Sequence, residues 1–473
     1  MRASLIKNNI LLLFLLASFF GYAQSQLVLT KGRVTDSLVV PDTKNTFSIY
    51  LPRTYDKNKS WPIIFGFDSS NRTSNIARFY QAAAEELGYI IAVTNFTEEQ
   101  SARDRANYVA VFMKHIFSLF PIQIGRVYVT GVGDDAKFAS LLPLGYPDKI
   151  FGVIAIGDSY FYDSRINLNK NFTHFGILNT HNYRFKNFQA NKNFLKRRAV
   201  PADLFVYEGG GEFPAQELIK NVLTALTRQA MLKGRVAKDS IWIQNSFEKS
   251  LQEVDGYVSK RKFLKAYEEL KRIRIDYNQF FDTDYLKEKQ KEIKKLNGFR
   301  KEKRLRSKYA IKENYLRESY LFSAEEDIAL LNYSNLGWWQ YEMSKLDTLI
   351  AKKEKYGHDM AIRVKRYVNA IINNYKITAI KENVNLEAQL FLNIFSTIVN
   401  KEDFDSYKKI ISLSARDLDN ETALFYLEKM LQNGYRDFDA LYEIEGTLAL
   451  KITKKYNELI EKYLGNSKYF FSK

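Results

Sequence analysis

The stretch Arg126-Val127-Tyr128-Val129-Thr130-Gly131-Val132-Gly133-Asp134-Asp135-Ala136 decides how this chain is read. From Val127 to Thr130 it is β-branched or aromatic at every position, as in a strand covered on both faces. Gly131 and Gly133 then permit a sharp bend, because without a Cβ the backbone reaches conformations closed to other residues. Asp134 and Asp135 follow as acids of the kind that favour the first turn of a helix. A tight strand-to-helix bend lifts the side chain at its crest clear of the sheet. Here the crest holds glycine, so the backbone pattern is kept while no reactive atom is offered.

Working outward, short β-branched and aromatic runs at 46–51, 62–67, 89–95, 152–156, 174–178 and 203–207 join 126–130 as expected strands. Helical patterns at 77–87, 103–119, 135–142 and 215–232 fall between them. Alternation of this kind predicts an α/β fold built on a mostly parallel sheet with helices on both faces. An antiparallel pair from 28–39 and 47–51 makes the expected sheet mixed.

Proline marks the change of architecture. All eight prolines, from Pro41 to Pro214, lie in the first 214 residues, and proline breaks helix interiors. From about Ile241 the pattern is helical almost throughout, and near the end Leu427, Met430 and Leu431 run at helical spacing into the stop Asn433-Gly434. Segments 438–442 and 456–464 continue it. The expected organisation is a hydrolase-like domain at 24–240 and an all-α domain at 241–473, solenoid-like or tetratricopeptide-like in style, although no clean 34-residue period is present. Stacked helices offer surfaces suited to binding. Trp338-Trp339 with Tyr341 reads as packing between helices.

The first 23 residues combine Arg2 and Lys7 with the apolar run 10–20 and small residues before Gln24. A basic start, a short apolar core and small residues at the cut describe a secretory signal peptide. Export is expected, to the periplasm or beyond, without a membrane span in the mature chain. Cysteine is absent from all 473 residues, so neither disulfides nor a lipid-bearing cysteine are expected. Lys plus Arg outnumber Asp plus Glu 71 to 54, and between Lys260 and Lys312 the count is 19 basic to 8 acidic. That stretch reads as a solvated helix face, with an anionic surface as its alternative partner.

Several segments together resemble the secreted α/β-hydrolase esterases, the group of polyhydroxybutyrate-depolymerase-like and feruloyl-esterase-like enzymes. They are Phe65-Gly66-Phe67-Asp68, Glu86-Leu87-Gly88-Tyr89-Ile90-Ile91, the bend itself, Tyr146-Pro147-Asp148 with Phe151-Gly152-Val153-Ile154, and Gly209-Gly210-Gly211-Glu212-Phe213-Pro214. The resemblance implies an oxyanion donor after Phe65 to Asp68 and a Ser-His-acid triad. Matched residue by residue, Gly133 stands where the nucleophile belongs and Gly211 where the histidine belongs. The acid's place after 174–178 holds Asn179-Thr180-His181, with Thr180 and no carboxylate. Loss of the serine or histidine from such a triad costs on the order of 10⁶ in turnover.

Three groups near these positions could act as relocated catalytic residues. Asp134 is one residue past the crest, Ser159 lies at the end of the following strand, and His181 stands at the expected rim. Each also has a plain structural reading, as a first-turn acid, a loop serine and a hydrogen-bonding histidine. The four histidines His115, His174, His181 and His358 show no helical ligand spacing, so no metal is expected, and Gly209-Gly210-Gly211 lacks the residues of a phosphate-binding loop. No cofactor and no nucleic-acid partner are expected. The function read from the sequence is a non-catalytic binding or scaffolding component of the cell envelope, meeting another envelope protein through its helical half. The alternative is an esterase or peptidase with a relocated serine or aspartate nucleophile.

Overall fold

The computed structural model describes residues 29–96, 101–168, 170–352 and 354–469. The signal-peptide expectation and Val28, the first residue of the expected N-terminal strand, fall outside them. Eight strands form one sheet in the order β1-β2-β4-β3-β5-β6-β7-β8. They are β1 Val34–Val39, β2 Thr46–Tyr50, β3 Trp61–Asp68, β4 Ile90–Asn95, β5 Ile122–Val132, β6 Gly152–Ile156, β7 Thr173–Asn179 and β8 Ala202–Tyr207. β2 runs antiparallel to both β1 and β4, whereas β3 is parallel to β4 and β5. This is the mixed, mostly parallel sheet expected from the alternating pattern. Its central strand β3 is buried at every position, which is why it reads as an unbroken apolar run rather than an alternating one.

The chain packs as two compact units. Of the described residues, those within 1–155, 168–174 and 215–227 form one, and those within 156–167, 175–214 and 228–473 form the other. In the first, Thr73–Leu87 ends on Gly88 in the left-handed conformation, which caps the helix and turns the chain directly into β4. Ala102–Leu119 starts on Ser101, whose hydroxyl accepts from the Asp104 N–H. In the same unit Arg126 is buried, and its guanidinium donates to the Tyr89 hydroxyl at 3.0 Å and to Thr227 Oγ1 at 3.1 Å.

The second unit holds β8, the helix Phe185–Arg197 and the helical region from Ser240 to Leu464. Its helices range from Leu448–Lys451, of 4 residues, to Asn297–Leu330, of 34. Such unequal lengths explain why no repeat period is legible in the sequence. Trp339 is fully buried in a core with Tyr320, Met343, Met360 and Phe395, while Tyr341 is exposed on the opposite face of its helix. Several residues of the basic stretch are paired with acids distant in sequence: Lys262 with Glu208, Lys289 with Asp255, and Arg306 with Glu268. Among the described residues no helix is long and apolar enough to cross a membrane.

Candidate functional site

β5 runs straight into the bend. Gly131 is obligatory there, since a Cβ would lie 2.4 Å from the Asp135 carbonyl carbon. Gly133 caps the helix Asp134–Gly145 with φ 61° and ψ −126°, a region glycine enters freely and other residues enter at a cost of about 1–3 kcal/mol. A Cβ built on Gly133 meets nothing within 4 Å. The crest therefore has the geometry and the space for a side chain. What it lacks is an atom.

The two acids after the crest part company. The Asp134 side chain is 89% exposed and pairs at 3.0 Å with Lys137, itself well exposed. Asp135 is buried, and its Oδ2 accepts from the Ser69 backbone N–H at 2.9 Å and from Ser69 Oγ at 3.0 Å. Ser69 follows β3, the segment to which the esterase resemblance assigns an oxyanion donor. In this chain that N–H is already bound by an internal carboxylate. Burial raises the Asp135 carboxyl above its ordinary value, with the Asp68 charge adding to the effect while the Ser69 hydrogen bonds and Arg105 oppose it. A raised folded pKa contributes stability below the ordinary carboxylate range and loses it as pH rises through the folded value. Asp135→Asn keeps an acceptor for Ser69 and carries no charge. It should therefore gain in urea midpoint over the parent at pH 7, with the gain shrinking toward about pH 4. A gain that grew on acidification would contradict this assignment.

The remaining candidates belong to the second unit. Ser159 is buried, and its Oγ donates to the Tyr160 carbonyl at 2.9 Å. Asp158 beside it pairs with Arg184 at 3.1 Å. Thr180 donates its N–H to the Tyr207 carbonyl and accepts from Arg363 Nη1 at 2.7 Å. The Gly211 carbonyl accepts from Asn179 Nδ2 at 2.9 Å and from the Tyr207 hydroxyl at 2.7 Å. Thr180 and Gly211 thus both bond to Tyr207 near the ends of β7 and β8, and neither side chain supplies an imidazole or a carboxylate.

His181 is the one candidate that gains partners suited to chemistry. Its Nε2 lies 2.9 Å from Asp359 Oδ1, and His358 Nδ1 lies 3.3 Å from the same oxygen. Burial lowers the His181 pKa below the ordinary histidine value, against the pull of the Asp359 carboxylate and with smaller help from Arg366 and His358. The imidazole is accordingly neutral at pH 7. His358 and Asp359 sit close to the N-terminal end of Lys355–Glu382, a helix capped by Glu354. Asp359 was not a sequence candidate. The only signal was the His358-Asp359 dipeptide, which has no partner nearby in sequence. Farther along the same helix a polar hollow of about 390 Å³ is lined by Asn182, Tyr183, Arg366, Asn369, Asn373 and Asn374.

No protein-family model matches the chain, and no curated protein does. Among solved structures it is similar to a mutant feruloyl esterase module from Clostridium thermocellum complexed with sinapinate, at 12% identity, over 43% of this chain and 89% of that one, TM-score 0.34. A hyperthermophilic esterase from Pyrobaculum calidifontis aligns at 14% identity, over 42% and 87%, TM-score 0.34. S-formylglutathione hydrolase from Staphylococcus aureus aligns at 11% identity, over 42% and 99%, TM-score 0.32. The fold class rests on the sheet itself rather than on likenesses of this size.

Proposed function

We propose that this α/β-hydrolase-like protein is an exported binding component of the cell envelope that does not hydrolyse esters or peptides. The observation that carries the reading is Gly133, at the crest of a fully formed strand-to-helix bend with no side chain to attack a carbonyl. The Ser69 N–H held by Asp135 supports it, because an oxyanion would have to displace a buried carboxylate to reach that donor. Relocation of the nucleophile is disfavoured by the contacts of the candidates. Asp134 is solvated and paired with Lys137, and the Ser159 hydroxyl is spent on the Tyr160 carbonyl. The helical region, with its several separate apolar cores, supplies the binding surface for an envelope protein in this reading.

The test is direct. The purified full chain, treated with a serine-directed fluorophosphonate probe and assayed on short p-nitrophenyl esters, should give neither labelling nor turnover above a heat-denatured control. Labelling abolished by Ser159→Ala, or turnover abolished by Asp134→Asn, would overturn the reading.

A further inference from the structure

We propose that His181, His358 and Asp359 form a binding site for a divalent cation of the zinc class. Each residue offers one ligand atom, and the three atoms all lie within 4.8 Å of one another. A zinc-class ion sits about 2.0–2.2 Å from nitrogen and oxygen ligands, which in tetrahedral geometry places neighbouring ligands roughly 3.3–3.5 Å apart. The separations of 2.9 Å from His181 and 3.3 Å from His358 to Asp359 Oδ1 fall short of or at that spacing. Insertion of an ion therefore needs only tenths of an ångström at these contacts. A hydrogen-bonded cluster holding its acceptor between two imidazoles is already close to the bound arrangement.

The chemistry of the set selects the metal class. Two imidazoles and one carboxylate suit zinc and its neighbours, whereas calcium and magnesium call for oxygen ligands throughout. The side chains of His181 and Asp359 are 14% and 12% exposed and that of His358 is 33% exposed, so the cluster is shielded yet reachable from solvent. Arg366 is the opposing charge, donating to the His181 carbonyl at 3.4 Å. Its guanidinium weakens attraction for a bare cation and favours water or a small anion in the fourth position. The inference does not depend on the absence of hydrolysis. It concerns a different cluster and a different ligand.

Chelator-stripped full-length protein titrated calorimetrically with Zn²⁺ should bind one ion per chain. With Co²⁺ it should develop the visible absorption of a low-coordinate nitrogen and oxygen site. His181→Gln and His358→Gln, which keep side-chain volume, should each weaken zinc binding by about 10²-fold or more, since even outer-shell changes cost 10–100-fold. His115→Ala, at a histidine outside the cluster, should leave it unchanged. Absence of stoichiometric zinc binding in the parent protein would overturn the proposal, as would a zinc affinity in both glutamine variants undiminished from that of the parent. Should a glutamine variant fail to fold by circular dichroism, the parent's cobalt spectrum decides, and a spectrum identical to hexaaqua cobalt counts against the site.

Discussion

Arg363→Ala should lower the stability of the second unit by about 3 kcal/mol, read as a fall in its urea midpoint. Glu313 is 1% exposed, and Arg363 grips it from two nitrogens, Nε at 3.1 Å and Nη2 at 2.6 Å. The third nitrogen, Nη1, donates to the Thr180 carbonyl. Deleting one member of a buried pair strands the other charge out of water, which typically costs 3–5 kcal/mol. Arg317, 3.7 Å from Glu313, stays behind and keeps the loss near the lower end. The Arg363→Ala/Glu313→Ala double variant should then lose far less than the sum of the two single changes, because the stranded carboxylate is gone. Simple additivity, or a single-variant loss below 1 kcal/mol, would show that the pair is not the anchor its geometry describes. Arg363 also ties the β7 end to the helix that carries His358 and Asp359, so zinc affinity should fall along with stability.

The second large effect is expected at Trp339. Trp339→Ala should destabilise the same unit by about 3–5 kcal/mol, the range for removing a buried large aromatic. The ring is fully buried, with centroids 5.4 Å from Tyr320, 4.9 Å from Trp338 and 4.7 Å from Phe395. Its indole N–H donates to Asp327 Oδ2 at 2.7 Å. Asp327 keeps bonds from Asn332 and Asn335, so the cavity outweighs the lost hydrogen bond. Trp339→Phe should recover part of the loss, and Tyr341→Ala, two residues on and 61% exposed, should change the midpoint little. Equal effects at Trp339 and Tyr341 would mean that the aromatic cluster is not organised as described.

Much of the sheet was legible because its strands are buried on both faces. Such strands announce themselves as continuous β-branched and aromatic runs, and the expected 152–156 coincides with β6 Gly152–Ile156. The helix Phe185–Arg197 was not expected. Its mean composition is polar, and its buried residues Phe188, Asn191 and Leu195 include an asparagine, which blurs the apolar spacing. The Gly133 bend was legible for a different reason. Its positive φ is entered without cost only by glycine, so the glycine in the sequence points to the bend.

The division of roles at the site follows from the range of each interaction. Local chemistry placed Gly133, Asp134 and Asp135 at a helix entrance from sequence by itself, because capping and backbone sterics act within a few residues. Which of the two acids would be buried against Ser69, 66 positions away, was open until the chain was folded. The same holds for His181 and Asp359, 178 positions apart, and for Arg363 on the Thr180 carbonyl, 183 apart. Side chains that distant share no periodicity or motif. Only packing of the β7 end against one helix within the second unit sets them at hydrogen-bond distance, and so decides that a lone rim histidine becomes part of a three-ligand cluster.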